Sequence, residues 1–172
     1  MRKEKITIDL YNKPIGEAIE DALRDFEAFF DWIERKTEIF IERLAEEIRS
    51  NADIGFASAL VDGYKTADVQ VTIEKRGRNS VVVARGEDAI WVEFGAGIYH
   101  NGAVGTSPHP LGAELGFLIG TYGFGYGARR AWGFYEDGEL VITRGTPAQM
   151  PLYEAIKAAS QQVVKIANEV FV

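Results

Sequence analysis

Two histidines and two glutamates near the middle of the chain set the first chemical question. His100, His109, Glu93 and Glu114 are residue types that bind a divalent metal or exchange protons with a substrate. Helix-based zinc motifs place paired histidines four positions apart, and these two are not so spaced. Both are therefore read as solvated loop residues, and no metal is assigned. Glu93 stands between apolar Val92 and Phe94, which puts its carboxylate at least partly inside. A buried charge needs a partner. Backbone N–H groups or an arginine would serve, with Arg85 and Arg144 the candidates. No companion acid or base marks an acid–base pair, so no catalytic residue is assigned.

A second chemistry is suggested by Gly123-Phe124-Gly125-Tyr126-Gly127-Ala128-Arg129-Arg130. Glycine loops cradle phosphates, but this segment lacks both the Gly-x-x-x-x-Gly-Lys-Ser/Thr and the Gly-x-Gly-x-x-Gly pattern. No nucleotide or other cofactor is assigned. Phe124 and Tyr126 are able to stack single-stranded bases while Arg129 and Arg130 hold phosphates. The preferred reading is a subunit-interface loop carrying Phe117, Tyr122, Phe124, Tyr126, Arg129 and Arg130.

That segment belongs to a glycine-rich stretch, residues 95–133, which holds eleven of the eighteen glycines and cannot build a core alone. The remainder of the 172 residues, with 47% apolar and 12% aromatic content overall, suffices for one domain. Net charge is −7, and residues 1–60 carry fourteen acidic against nine basic side chains. Such a balance opposes tight binding to a polyanion, yet it suits a wall past which DNA slides without sticking. Cysteine is absent, which excludes disulfides and thiolate chemistry. No apolar run reaches the roughly 20 residues of a membrane span, and the start leads into no signal-peptide core, so synthesis and retention in the cytosol are expected.

The elements that position these residues follow from periodicity. Ile6, Ile8 and Leu10 alternate with polar residues, as in a short strand or extended arm. From Pro14 to about Ser50 apolar residues recur at spacings of three and four, with one step skipped near Lys36-Thr37: Ile15, Ile19, Leu23, Phe26, Phe29/Phe30, Ile33, Phe40/Ile41, Leu44 and Ile48. An unbroken helix of that span reaches about 55 Å. A break near Lys36-Thr37 would give a helical hairpin; an unbroken helix would project and seek a partner. Ser50-Asn51-Ala52-Asp53 reads as the helix end, followed by a short helix over Gly55–Val61. Val69, Val71 and Ile73 alternate, Ser80–Ala84 is β-branched, and Arg76-Gly77-Arg78-Asn79 joins them as a hairpin. Periodicity leaves Ala89–Phe94 open between a strand and a buried helical turn. A second hairpin, Ala131–Tyr135 with Glu139–Thr143, turns on Asp137-Gly138, and a closing helix starts near Pro151. The fold class is α+β in one domain, residues 1–172: an antiparallel sheet of two hairpins packed by the N-terminal helix or helical hairpin and by the C-terminal helix.

Val92-Glu93-Phe94-Gly95-Ala96-Gly97, preceded by Ala89, resembles the hallmark of the "gene product ten"-like family of phage and prophage tail-completion and head–tail joining proteins. Threonine is usual in that family where Ala96 stands. The aromatic strand Ala131-Trp132-Gly133-Phe134-Tyr135 and the segment from Gly145 through Ala148 to Pro151 are similar to the family's later elements, in the same order. The resemblance implies a non-enzymatic virion protein, made in the host cytoplasm and assembled as a homo-oligomeric ring, often of six copies. Its implied position is the head–tail junction or the tail, its partners connector, portal-side and tail-tube proteins, with DNA passing unbound and no membrane involved. A head-to-tail ring requires two different surfaces per subunit. The alternatives are a small metal-dependent hydrolase on His100, His109 and Glu93, and a single-strand-binding module on the aromatic loop.

Overall fold

No proline follows Pro14 for more than forty positions, and the apolar stripe never loses its helical period. The result is a single helix, α1 (Ile15–Ser58), of 44 residues. The computed structural model describes residue 8 and residues 11–61, 65–95, 109–112, 114 and 131–172. Lys36 and Thr37 remain helical, so the helical-hairpin reading is corrected to one continuous rod of about 66 Å. The expected end at Ser50–Asp53 is corrected too. Asn51 turns its amide back onto the Glu47 carbonyl and carboxylate, at 2.9 and 3.0 Å, which satisfies the side chain without breaking the helix. Gly55 onward belongs to the same helix, which stops when Ala59 becomes extended.

Two short strands, β1 (Leu60–Val61) and β2 (Lys65–Thr66), pair antiparallel. β3 (Gln70–Arg76) and β4 (Asn79–Arg85) form the first expected hairpin, with Val71 opposite Ala84 and Ile73 opposite Val82. Ala89–Phe94 is helix α2, which decides the strand-or-helix question. β5 (Trp132–Glu136) and β6 (Glu139–Thr143) form the second hairpin, and α3 (Pro151–Val170) closes the chain. The class is α+β, with the two hairpins standing as separate two-stranded sheets.

α3 runs antiparallel along α1. Pro151 lies against Gly55, Glu169 pairs with Arg43 at 3.0 Å, and Phe171 packs on Trp32 and Phe40 with ring centroids 6.3 and 5.9 Å apart. Small residues let the backbones approach: Ala45, Ala52 and Gly55 on α1, Ala155 and Ala159 on α3. A Cβ at Gly55 would stand 2.7 Å from the Pro151 Cβ. Ala52, Phe56, Ala59, Val71, Val92 and Ala155 form the buried cluster, where the C-terminal half of α1 meets the first hairpin, α2 and the start of α3. Ion pairs Lys75–Glu42 and Arg78–Glu34 fasten the β3–β4 hairpin along α1. α3 is only 20 residues long, so α1 continues roughly 25 Å past the Trp32–Phe171 contact.

Candidate functional site

α3 begins without a conventional cap. Ser, Thr, Asp or Asn at the N-cap position normally accepts the free N–H groups of the first turn. Here that position is Met150, held in the left-handed region at φ 54° with no capping side chain. Pro151 brings no N–H, which leaves Leu152 and Tyr153 as the donors needing partners. Glu93 supplies both from 59 and 60 residues away: Oε2 accepts the Leu152 N–H at 2.8 Å and Oε1 the Tyr153 N–H at 2.9 Å. Glu154 N–H then makes the first intrahelical bond, to the Met150 carbonyl at 2.9 Å. Every donor of the first turn is accounted for. The carboxylate also sits at the positive end of the α3 dipole.

The junction is reciprocal. Near the end of α2 the Val92 carbonyl has no further turn to bond, and it accepts the N–H groups of Gln149 at 2.8 Å and Met150 at 3.3 Å. Gly95 terminates α2 at φ 80°, a conformation that a Cβ disfavours, and returns its N–H to the Trp91 carbonyl. The Gln149 side chain closes the other side, its Oε1 accepting from Leu60 N–H at 3.1 Å and its Nε2 donating to Leu60 C=O at 2.9 Å.

His109 completes the shell around Glu93. Its side chain is 3% exposed and that of Glu93 8%. Leu111 N–H donates to Nδ1 at 3.0 Å, so Nδ1 is the acceptor nitrogen and Nε2 carries the hydrogen. Nε2–H accordingly donates to Glu93 Oε1 at 3.1 Å. Phe94 and Tyr153 flank the ring, with centroids 4.4 and 5.2 Å away. The expectation of a solvated His109 is therefore corrected: its ring fills the space between α2 and α3 and donates to a buried carboxylate.

Of the expected partners of Glu93, backbone N–H groups are present and the arginines are not. Arg85 pairs with Glu74 across the first hairpin, and Arg144 is exposed. Val92 and Glu93 thus meet the chain from Gln149 to Tyr153, while Gly95 ends α2 beside them. Just upstream of that segment Gly145 N–H donates to Thr143 Oγ1 at 2.9 Å, and Gly145 and Thr146 are buried. His100, Phe117, Tyr122, Phe124, Tyr126, Arg129 and Arg130 lie outside the described residues, as does most of the expected arm at Ile6–Leu10. No family model, curated protein or solved structure matches this chain.

Chemically, the arrangement holds a helix in place. Both Glu93 oxygens and both His109 nitrogens are committed to hydrogen bonds, and among the described residues no group of three acidic or histidine side chains is arranged to hold a metal. A groove of about 410 Å³ lies beside the junction, between Asn51, Gly55 and Ser58 of α1 and Pro151 and Glu154 of α3. Its single carboxylate, Glu154, pairs with Lys157 at 3.3 Å, and its Asn51 amide is bound to Glu47. Among the described residues no helix is long and apolar enough to cross a membrane.

The sequence reading missed the roles of Gln149, Leu152 and Tyr153. The signal was available in part. A proline at the first helical position, preceded by methionine, announces a helix whose cap must come from elsewhere.

Proposed function

We propose that this chain is a structural subunit of a phage or prophage virion, acting by docking as a tail-completion or head–tail connector component. The observation that carries this reading is the overreach of α1. Ile15, Ile19, Leu23, Phe26 and Phe30 lie on one stripe of its N-terminal half, all at least 45% exposed. A contiguous apolar patch of about 500 Å² is among the largest that a monomer exposes, and patches of that kind are often protein contacts. The Glu93 junction supports the same reading, because its polar groups are spent on rigidity. Ala18 and Ala22 on the neighbouring face of the N-terminal half of α1 are buried, so the exposed stripe is held on a supported helix, which is suited to assembly. Two of the three elements that carry the family resemblance meet at the Glu93 junction, which gives them a mechanical reason to occur together.

In this reading the protein joins copies of itself into a ring and meets connector or portal-side proteins and tail-tube proteins. The acidic faces let DNA pass without holding it. The test is to mix the full-length protein with purified connector and tail-tube proteins of the same genome and to measure mass by sedimentation and by electron microscopy. Stable rings or joint complexes are expected. A chain that stays monomeric alone and in every mixture would refute the reading.

A further inference from the structure

The stripe on α1 has a counterpart elsewhere on the chain. In the β5–β6 hairpin, Gly133 faces Ile142 and Tyr135 faces Leu140 across the ladder. Alternation puts all four on one face of the pleat. Tyr135, Leu140 and Ile142 are each at least 57% exposed, so this face is apolar and open, while Thr143 on the other face is buried. Arg144 stands directly after the end of β6. It is exposed and forms no ion pair among the described residues.

Building on the assembly reading, we propose that the exposed α1 stripe of one copy packs on the open β5–β6 face of a second copy, a head-to-tail contact. Three considerations select this occupant. First is area. Five α1 side chains of about 200 Å² each, roughly half exposed, supply about 500 Å², well over half of the roughly 800 Å² per partner of a standard interface. Second is shape, because an apolar helix stripe lying on an apolar sheet face is a standard packing of layers, and one chain carries both halves. Third is charge. Glu20 and Glu27, seven residues apart along one edge of the stripe, make no ion pair among the described residues. Pairing α1 with α1 in antiparallel fashion would set these carboxylates against their own kind, whereas the hairpin has the exposed Arg144 just past the end of β6. Two unlike surfaces that dock on each other leave one of each free in any dimer. Further copies then add until the ring closes.

The test uses the full chain and two double variants at exposed positions, Leu23→Asp/Phe26→Asp and Leu140→Asp/Ile142→Asp, followed by sedimentation velocity over a hundredfold range of concentration. The wild type is expected above monomer mass, each variant alone as a monomer, and their equimolar mixture as a dimer, since each retains the surface the other lacks. Circular dichroism checks that each variant is folded. An independent measurement exploits the absence of cysteine: Leu23→Cys and Ile142→Cys chains, mixed under mild oxidation, should give mainly the mixed disulfide. A hairpin variant that still dimerises while the stripe variant does not would overturn the proposal in favour of α1–α1 pairing. A wild-type oligomer untouched by either variant would also overturn it while leaving the assembly reading intact. A monomeric wild type with no mixed disulfide overturns it as well, and the assembly reading then rests on the mixtures with connector and tail-tube proteins.

Discussion

The Glu93 carboxylate accepts the Leu152 N–H at 2.8 Å and so caps a helix that begins almost sixty residues later. The chain has no local substitute for it, because Met150 has no side-chain oxygen with which to cap the first turn of α3. α2 and α3 are therefore joined by a polar contact whose loss leaves donors without their acceptor in a part-buried interface.

Replacing Glu93 by Ala should lower stability by about 3 kcal/mol or more, since it strands two helix N–H groups and the His109 N–H together. Glu93→Gln keeps one acceptor oxygen but turns the other into a donor facing a donor, at a cost of about 2 kcal/mol. Urea unfolding gives the differences. Amide exchange at Leu152 and Tyr153 should accelerate in both variants before global unfolding does; unchanged protection there would show that Glu93 is not the cap.

His109 is expected as the neutral Nε2–H tautomer, because Leu111 N–H occupies Nδ1. Nitrogen-15 shifts of the ring at neutral pH read this directly, and an Nδ1–H pattern would contradict the arrangement. His109→Ala removes both the donor to Glu93 and a ring packed between Phe94 and Tyr153. A loss of about 2 to 3 kcal/mol is expected, again by urea unfolding.

Gly55→Val places methyl groups where even a Cβ would stand 2.7 Å from Pro151. α1 and the start of α3 would have to separate, costing about 1 to 3 kcal/mol. The expected signature is a lowered melting temperature together with faster exchange at Leu152. Gly16→Val meets nothing within 4 Å and, valine being the better helix former, should leave stability unchanged or raise it by about a few tenths of a kcal/mol.

Acid should erode stability through a defined set of surface carboxylates. Glu74 is held below its ordinary value of 4.5 chiefly by the hydrogen bond from Arg76, with Arg85 adding to it. Arg49 does the same for Glu46, and Lys13 and Arg24 for Asp21. A carboxyl whose folded pKa is depressed contributes stability that is fully present above its unfolded value and lost as pH falls through the folded one. These groups should therefore leave stability flat from neutral pH down to about pH 5 and lower it on further acidification. Their exposure makes the effect sensitive to salt. Urea unfolding of wild type and Glu74→Gln between neutral pH and about pH 3 checks this, the variant showing the shallower acid limb.

Much of the architecture was written in local pattern. The three-and-four spacing from Ile15 to Ile48 is a helix because only that period puts those residues on one face, and Arg76–Asn79 and Asp137-Gly138 turn because their chemistry permits little else. Glu93 between Val92 and Phe94 announced a buried carboxylate in need of N–H donors. Tertiary structure alone decided that those donors are Leu152 and Tyr153, that His109 is drawn inside, and that Asn51 lies within a helix rather than at its end. It also decided how far α3 covers α1, and hence which half of one continuous apolar stripe stays in water. The physical reason is range. Periodicity and turn chemistry act over a few neighbouring residues, while capping across 59 positions and burial of a loop histidine depend on which surfaces packing brings together.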